Sequence, residues 1–137
     1  MARILGIDPG TKRCGVAITD SAETMAFPRE ALAYDDQLVA ALDRLTRDEG
    51  VTLVVIGRPV SLAGRETAST AFADELFERL CQGLEVAVVQ HDERLTTSDA
   101  QRSLTRAGVK AKDHRERIDS AAAVVMLQHF TDGRNAR

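Results

Sequence analysis

The first third of the chain consists of short apolar runs broken by turn residues; after it, helical stripes alternate with β-branched runs. Arg3 to Asp8 is aliphatic and stops at Pro9-Gly10, as a buried strand meeting a turn should. Cys14 to Thr19 is a second such run, and the residues between the two are hairpin-sized. A third strand is predicted from Met25 to Ala33. Pro28 inside it assigns that strand to a sheet edge, because proline has no N–H to give to a ladder. Three consecutive antiparallel strands make a meander.

The period then changes. Leu38, Leu42 and Leu45, with Val39 and Ala41, recur at helical spacing, and Gly50 closes the helix. Val51 to Gly57 is β-branched throughout its centre, the composition of a parallel strand buried on both faces. A polar loop, Arg58 to Glu66, leads past a capping residue, Thr67, into a helix with Ala68, Phe72, Leu76 and Leu80 on one stripe, ending near Gly83. Glu85 to Gln90 is the fifth predicted strand. Ser98 and Gln101 have capping-box spacing at the head of a helix reaching about Ala107, followed by a basic loop, Gly108 to Asp113. A last helix spans roughly Arg115 to Thr131, and Gly133-Arg134-Asn135 reads as a frayed tail.

This order, β-β-β-α-β-α-β-α-α, predicts an α/β fold: a mixed five-stranded sheet with helices on both faces, its parallel part joined by right-handed crossovers. The 137 residues suit one domain, 1–137. Sites in open α/β sheets form beyond the carboxyl ends of parallel strands. Those ends are Asp8, Gly57-Arg58-Pro59 and Asp92-Glu93-Arg94, and all three carry polar chemistry.

Composition narrows the classes. No apolar run is long enough to cross a membrane, and Met1 to Asp8 lacks the features of a signal peptide, so a cytosolic location is expected. Cys14 and Cys81 form no CxxC pair and no zinc spacing; two small buried free thiols are expected. A net charge of −3 argues against a nucleic-acid partner until its distribution is considered. Between Gln101 and Arg117 lie six Lys/Arg residues against two acids, so a basic segment sits on an acidic body. An anionic polymer would recognise such a segment locally, although a solvated surface explains it equally well.

Three carboxylates stand out. Asp8 leaves a strand at its end, aimed by the backbone, although Asp before Pro-Gly is also ordinary turn chemistry. Glu93 emerges from a strand expected to end on the same rim. Asp119 falls within an apolar helix (Ile118, Ala121 to Met126), where a charge is disfavoured unless compensated; its alternative is a first-turn Asp complementing the helix dipole. Ala122 and Ala123, one turn on, permit close approach to the sheet, which would turn Asp119 toward Asp8. Clustered carboxylates repel one another, and a divalent cation relieves that repulsion. Two Mg²⁺ or Mn²⁺ ions roughly 4 Å apart can activate water and stabilise a leaving oxygen in phosphodiester cleavage. Asp8, Glu93 and Asp119 are therefore the candidate catalytic and metal-binding residues.

The runs Gly6-Ile7-Asp8-Pro9-Gly10-Thr11-Lys12-Arg13-Cys14-Gly15-Val16-Ala17, Gly57-Arg58-Pro59, Asp92-Glu93-Arg94-Leu95-Thr96-Thr97 and Asp119-Ser120-Ala121-Ala122 resemble the YqgF (RuvX) family. That family is described as nucleases of pre-16S ribosomal RNA and, formerly, as Holliday junction resolvases. The likeness extends from about Arg3 to Phe130. It implies an RNase H-like fold and carries the family's proposed acids onto Asp8, Glu93 and Asp119. The second motif departs from the pattern: the family usually has Gly-aliphatic-Pro followed by Asn or a similar residue and then Gly, and here the loop reads Gly57-Arg58-Pro59-Val60-Ser61-Leu62-Ala63-Gly64.

Nucleic-acid contacts are expected from Lys12 beside the Asp8 turn, from Arg58 and Arg65 flanking the glycine-bearing loop, from Arg94, and from Lys110, Lys112, Arg115 and Arg117 on the approach to Asp119. Structural salt bridges are the competing role for Arg94, and solvation for Lys12. His114 is the histidine placed for proton transfer, whereas His91 and His129 read as packing or surface residues. With no Trp, one Tyr and four Phe, of which Phe72 and Phe77 are expected in the core, stacking platforms for bases are scarce. Reading of backbone and shape is therefore expected, with structured RNA preferred and a DNA junction as the alternative. Gly6 to Lys12 also resembles the first phosphate loop of actin- and Hsp70-like ATPases, but those close two such domains around a nucleotide. A non-catalytic RNA-binding assembly factor is a further alternative, and both a monomer and a homodimer remain open.

Overall fold

The computed structural model describes residues 2–60, 63–92 and 115–135, and in the last segment the side chains of 120–134. Its elements are β1 (Arg3–Asp8), β2 (Arg13–Thr19), β3 (Ala26–Ala33), α1 (Leu38–Asp48), β4 (Val51–Arg58), α2 (Ala68–Gly83), β5 (Ala87–Asp92) and α3 (Arg115–Asn135). The helix expected from Ser98 to about Ala107 and the basic loop after it lie outside the described residues. The five strands form one sheet in the order β3-β2-β1-β4-β5. β1, β2 and β3 pair antiparallel as the predicted meander, and β4 and β5 join β1 in parallel. β3, carrying Pro28, is an edge strand, with β5 at the other edge.

Side-chain alternation divides the core in two. Leu5 and Ile7 of β1 and Val54 and Ile56 of β4 pack with Leu38 and Leu42 of α1 and Leu76 and Leu80 of α2. Ile4 and Val55 face the opposite way, onto Ala123, Met126 and Leu127 of α3. Helices therefore cover both faces. Gly6 shares the α3 face, and a Cβ there would meet the Leu127 Cβ at 2.9 Å, so glycine sets how closely α3 approaches β1.

Hydrogen bonds fix α3 along its length. The β2–β3 register shifts between Cys14 and Val16, a bulge that would leave backbone groups unpaired. Ser120, fully buried, fills the gap: its Oγ accepts from the Val16 N–H at 3.1 Å and donates to the Arg29 carbonyl at 2.6 Å. Further along, Gln128 accepts from the Ala26 N–H at 2.9 Å and donates to the Thr24 carbonyl at 2.8 Å.

Two capping expectations hold, at Gly50 and Thr67, while the one at Ser98 and Gln101 lies outside the described residues. Gly50 takes φ 67° just beyond α1, the left-handed conformation that terminates helices, and Thr67 caps α2 in a capping box with Thr70. Three expectations need correction. β5 begins at Ala87 and continues to Asp92 because its backbone stays paired with β4 through Gly57↔His91 and Arg58↔Asp92, whatever the polarity of the side chains. α3 does not fray at Gly133: Arg134 pairs with Glu23 at 3.6 Å and lies over the Phe130 ring, and the helix runs to Asn135. Both cysteines are free, but only Cys14 is buried. Cys81 follows Leu80 on α2, one step past the Ala73–Leu76–Leu80 stripe, and faces solvent. Phe72 and Phe77 are half-buried, Phe72 against the Tyr34 ring at 4.6 Å and Phe77 against the α1–α2 core.

Candidate functional site

The parallel register aligns the carboxyl ends of three neighbouring strands. Ile7 of β1 lies opposite Ile56 of β4, and Arg58 of β4 lies opposite Asp92 of β5, so Asp8, Arg58 and Asp92 stand on one rim. They do not share a face. Asp8 continues the Ile4–Gly6 series toward α3, whereas Arg58 continues the Val54–Ile56 series toward α2.

Asp8 is half-buried and opens into a cleft of about 300 Å³ that Gly10, Lys12, Arg13 and Gly15 also line. Among the described residues its carboxylate has no hydrogen-bond or ion-pair partner. The turn that shapes the cleft requires Gly10, where any side chain would collide with the Arg13 carbonyl. Beneath it, burial pushes the Cys14 thiol up. A hydrogen bond from the Gly10 backbone opposes that shift and the Asp8 charge adds to it, so Cys14 is a neutral thiol and no nucleophile.

The start of α3 lies over the same end of β1. Ser120 is bonded to Val16, and Val16 pairs with Ile7, the neighbour of Asp8. Position 119 is the helical residue immediately before Ser120. Glu93 directly follows the last residue of β5 and lies outside the described residues, as do Arg94, Lys110, Lys112 and His114. Arg115 and Arg117 fall in the first turns of α3, without described side chains.

Lys12 is thus brought to the Asp8 cleft. Arg58 is engaged elsewhere: its Nε and Nη2 donate to Asp74 of α2 at 3.0 and 3.1 Å, and Nη2 also meets Glu66 at 2.6 Å. Gln90 donates to the same Asp74 carboxylate at 2.7 Å. These bonds raise the Arg58 pKa, through Asp74 first and Glu66 second, and hold Asp74 below the usual carboxylate range. Arg65 is exposed in the same loop. His91 and His129 pack together under α3, Nε2 to Nδ1 at 3.1 Å, with His91 edge-on to Phe130.

Sequence reasoning missed Ser120, Asp74, Glu66 and Gln90. A serine beside Asp119 in an apolar helix was a usable signal for the first. Nothing local connects Arg58 with Asp74, sixteen positions away on another element.

Comparison with known proteins identifies the family. The family model described as "RuvX: Holliday junction resolvase" matches residues 2–133. The chain belongs to the RuvX family. Curated relatives carry the name "Putative pre-16S rRNA nuclease". One from Mycolicibacterium paratuberculosis is 42% identical, the match covering 98% of this chain and 82% of that protein. Another, from Sulfurihydrogenibium sp., is 34% identical over 96% and 91%. Among solved structures, T. thermophilus RuvC in complex with Holliday junction substrate aligns with TM-score 0.62 at 15% identity, covering 99% of this chain and 97% of that one. The fowlpox virus resolvase bound to Holliday junction DNA aligns with TM-score 0.62 at 9% identity, covering 96% and 98%. The fold is RNase H-like, as the RuvX resemblance implied. No helix among the described residues is long and apolar enough to cross a membrane.

The RuvX assignment also bears on metal chemistry. The described residues hold no group of three or more side chains that could ligate a metal ion, and the side chains of Glu93 and Asp119 are not among those described. The one expected acid they include fits: a hard oxygen donor, half-buried, without a partner among the described residues, at the mouth of an open cleft.

Proposed function

We propose that this chain is a divalent-metal-dependent endonuclease, one domain hydrolysing phosphodiester bonds in the cytoplasm, and that it processes the 5′ end of pre-16S ribosomal RNA. The observation that carries this reading is Asp8: a carboxylate without a partner among the described residues, fixed at a strand end, facing a cleft beside Lys12 and below the start of α3. Membership of the RuvX family and the names of its relatives support it. Asp8, Glu93 and Asp119 would hold Mg²⁺ or Mn²⁺, as one ion or two. When bound, the metal supplies an activated water and a counter-charge for the leaving oxygen.

The chain's own residues do the rest. β1 fixes Asp8 so that no carboxylate reorganisation is needed when a phosphate arrives. Lys12 supplies a positive charge to the phosphate backbone at the cleft. Ser120 positions the start of α3, and with it residue 119, against the strands. Arg94, Lys110, Lys112, Arg115 and Arg117 extend the basic approach, with recognition by backbone and shape.

The test is Mg²⁺- or Mn²⁺-dependent cleavage of a ribosomal precursor RNA and of a four-way DNA junction, comparing the native chain with Asp8→Asn. RNA cleavage is expected, falling about 100-fold or more in the variant, the scale on which removal of a charge-stabilising group acts. Equal residual activity in both proteins would sink the nuclease reading and leave a non-catalytic RNA-binding role. Junction cleavage without RNA cleavage would support the second reading, a resolvase, which the description of the family model favours.

A further inference from the structure

Arg58 ends β4 on the rim, and its hydrogen bonds define its surroundings. A guanidinium offers two edges for paired hydrogen bonds, Nε with Nη2 and Nη1 with Nη2. Asp74 occupies the first edge on both atoms, at 3.0 and 3.1 Å, and Gln90 holds Asp74 in turn at 2.7 Å. The second edge, the outer one on the side of the exposed Glu66, is only half used. Nη2 meets the Glu66 carboxylate at 2.6 Å, and Nη1 has no hydrogen-bond partner among the described residues. The two acids differ in kind. Asp74 belongs to α2, a sixteen-residue helix, whereas the Glu66 side chain is 73% exposed in the irregular stretch after Gly64, which adopts φ 82°.

We propose that the outer edge of Arg58 is a phosphate subsite, that Asp74 and Gln90 are the positioning residues that hold it open, and that the Glu66 carboxylate occupies it as a stand-in for a nucleic-acid phosphate. The proposal rests on the nucleic-acid reading above and adds where one backbone phosphate binds and what it displaces. A phosphate can take both donors of the outer edge, where Glu66 takes one, and such forked contacts are stronger than single ones. An ion pair as exposed as Arg58–Glu66 contributes little in water, so displacing Glu66 costs little. Asp74 stays bonded throughout, so the guanidinium plane does not have to be reoriented. Arg58 stands at the end of β4, next in the sheet to the strand that carries Asp8, and so the subsite lies on the rim of the candidate active site but on its α2 side. The strand bound there would cross the rim from one face of the sheet to the other.

The experiment measures binding of a labelled precursor-RNA fragment, in low salt, to four proteins that all carry Asp8→Asn so that no cleavage intervenes. These are the Asp8→Asn parent, Glu66→Gln, Arg58→Leu and the double variant. Glu66→Gln should tighten binding about three- to tenfold, the range of one competing ion pair removed from a charged contact. Arg58→Leu should weaken binding and lower the slope of log K against log salt by about one counter-ion. The decisive result is the double variant, in which Glu66→Gln should give no gain once Arg58 is gone. An equal gain with and without Arg58 overturns the proposal, because it makes Glu66 a general repulsive charge. So does an unchanged affinity in Glu66→Gln. Absence of RNA binding by all four proteins overturns the nucleic-acid reading itself, and this proposal with it.

Discussion

The two faces of the sheet hold their helices by different means. On the side of α1 and α2 the contact is made by large apolar side chains, Leu5, Ile7, Val54 and Ile56 against Leu38, Leu42, Leu76 and Leu80, all buried. On the side of α3 the residues are smaller, Gly6, Ala17 and Ala123 among them, and polar side chains reach from the helix to the strands. Ser120 bonds β2 and β3, Gln128 bonds the start of β3, and His129 bonds β5. Apolar packing is strong but non-directional, whereas a hydrogen bond to a particular backbone atom fixes register. The helix that carries position 119 is fixed by bonds to backbone atoms within β2 and β3. The polar contacts of α2 with β4 and β5 go instead to the Arg58 and Gln90 side chains and, past the end of β4, to the Pro59 carbonyl. The rim shows the same contrast in charge: Asp8, on the α3 side, has no partner among the described residues, and Arg58, on the α2 side, has two acids.

The largest effect on stability is expected from the apolar face. Leu76→Ala removes a fully buried side chain from the α1–α2 core and should cost about 2–5 kcal/mol. Measured by chemical denaturation and by nuclease activity well below the midpoint, it should lower stability while leaving turnover of the folded fraction unchanged. A large loss of turnover in protein that is still folded would show that the α2 face tunes the site as directly as the α3 face, and the contrast would fall.

Ser120→Ala tests the other side. It leaves the Val16 N–H without its acceptor and the Arg29 carbonyl without its donor, both at the bulge, at a cost of about 1–3 kcal/mol. The stability loss should be smaller than for Leu76→Ala and the loss of cleavage larger, because the start of α3 is no longer registered against β1 and β2. Restoration by Ser120→Thr, which keeps the hydroxyl, would support positioning by that bond. Unchanged cleavage in Ser120→Ala would show that α3 is placed by its apolar contacts alone.

How much of this was legible depended on how local each cause was. The meander, the parallel strands and the capped helices follow from residues adjacent in sequence: Pro9-Gly10, Pro28, Gly50, Thr67 and the β-branched Val51–Ile56 run. Asp8 could be singled out because a strand end aims its side chain. The end of β5 extends past the predicted Gln90: polarity at His91 and Asp92 resembles a loop, and the pairing that keeps them extended comes from β4. The tail of α3 was misjudged for a similar reason: its last turn is held by Glu23, more than a hundred residues away. The charge of Arg58 is visible in the sequence, whereas its pairing with Asp74 and Glu66 is not. Contacts between distant elements have no signature in a local pattern, and they decide whether a charge is free to meet a ligand.

The smallest effect expected concerns pH, and it again separates the faces. His91 lies under α3 against His129 and Phe130, and its pKa falls below the ordinary 6.5, by burial first and by the neighbouring His129 second, with Asp92 opposing. A histidine depressed in this way is neutral in the folded chain while the unfolded chain already binds a proton near 6.5. Its contribution to stability is therefore complete above that value and is lost as the pH falls from there through the lower, folded pKa. Among the described residues the α1–α2 face buries no histidine, so acid between about pH 7 and 5 should loosen the α3 side alone. Unfolding measured across that interval should show a modest decline in the native chain and a flatter curve in His91→Gln. Hydrogen exchange should place the loosening in β5 and α3, with α1 unaffected. An equal decline in both proteins, or exchange rising equally in α1, would remove His91 as the cause and leave the two faces alike in their response to acid.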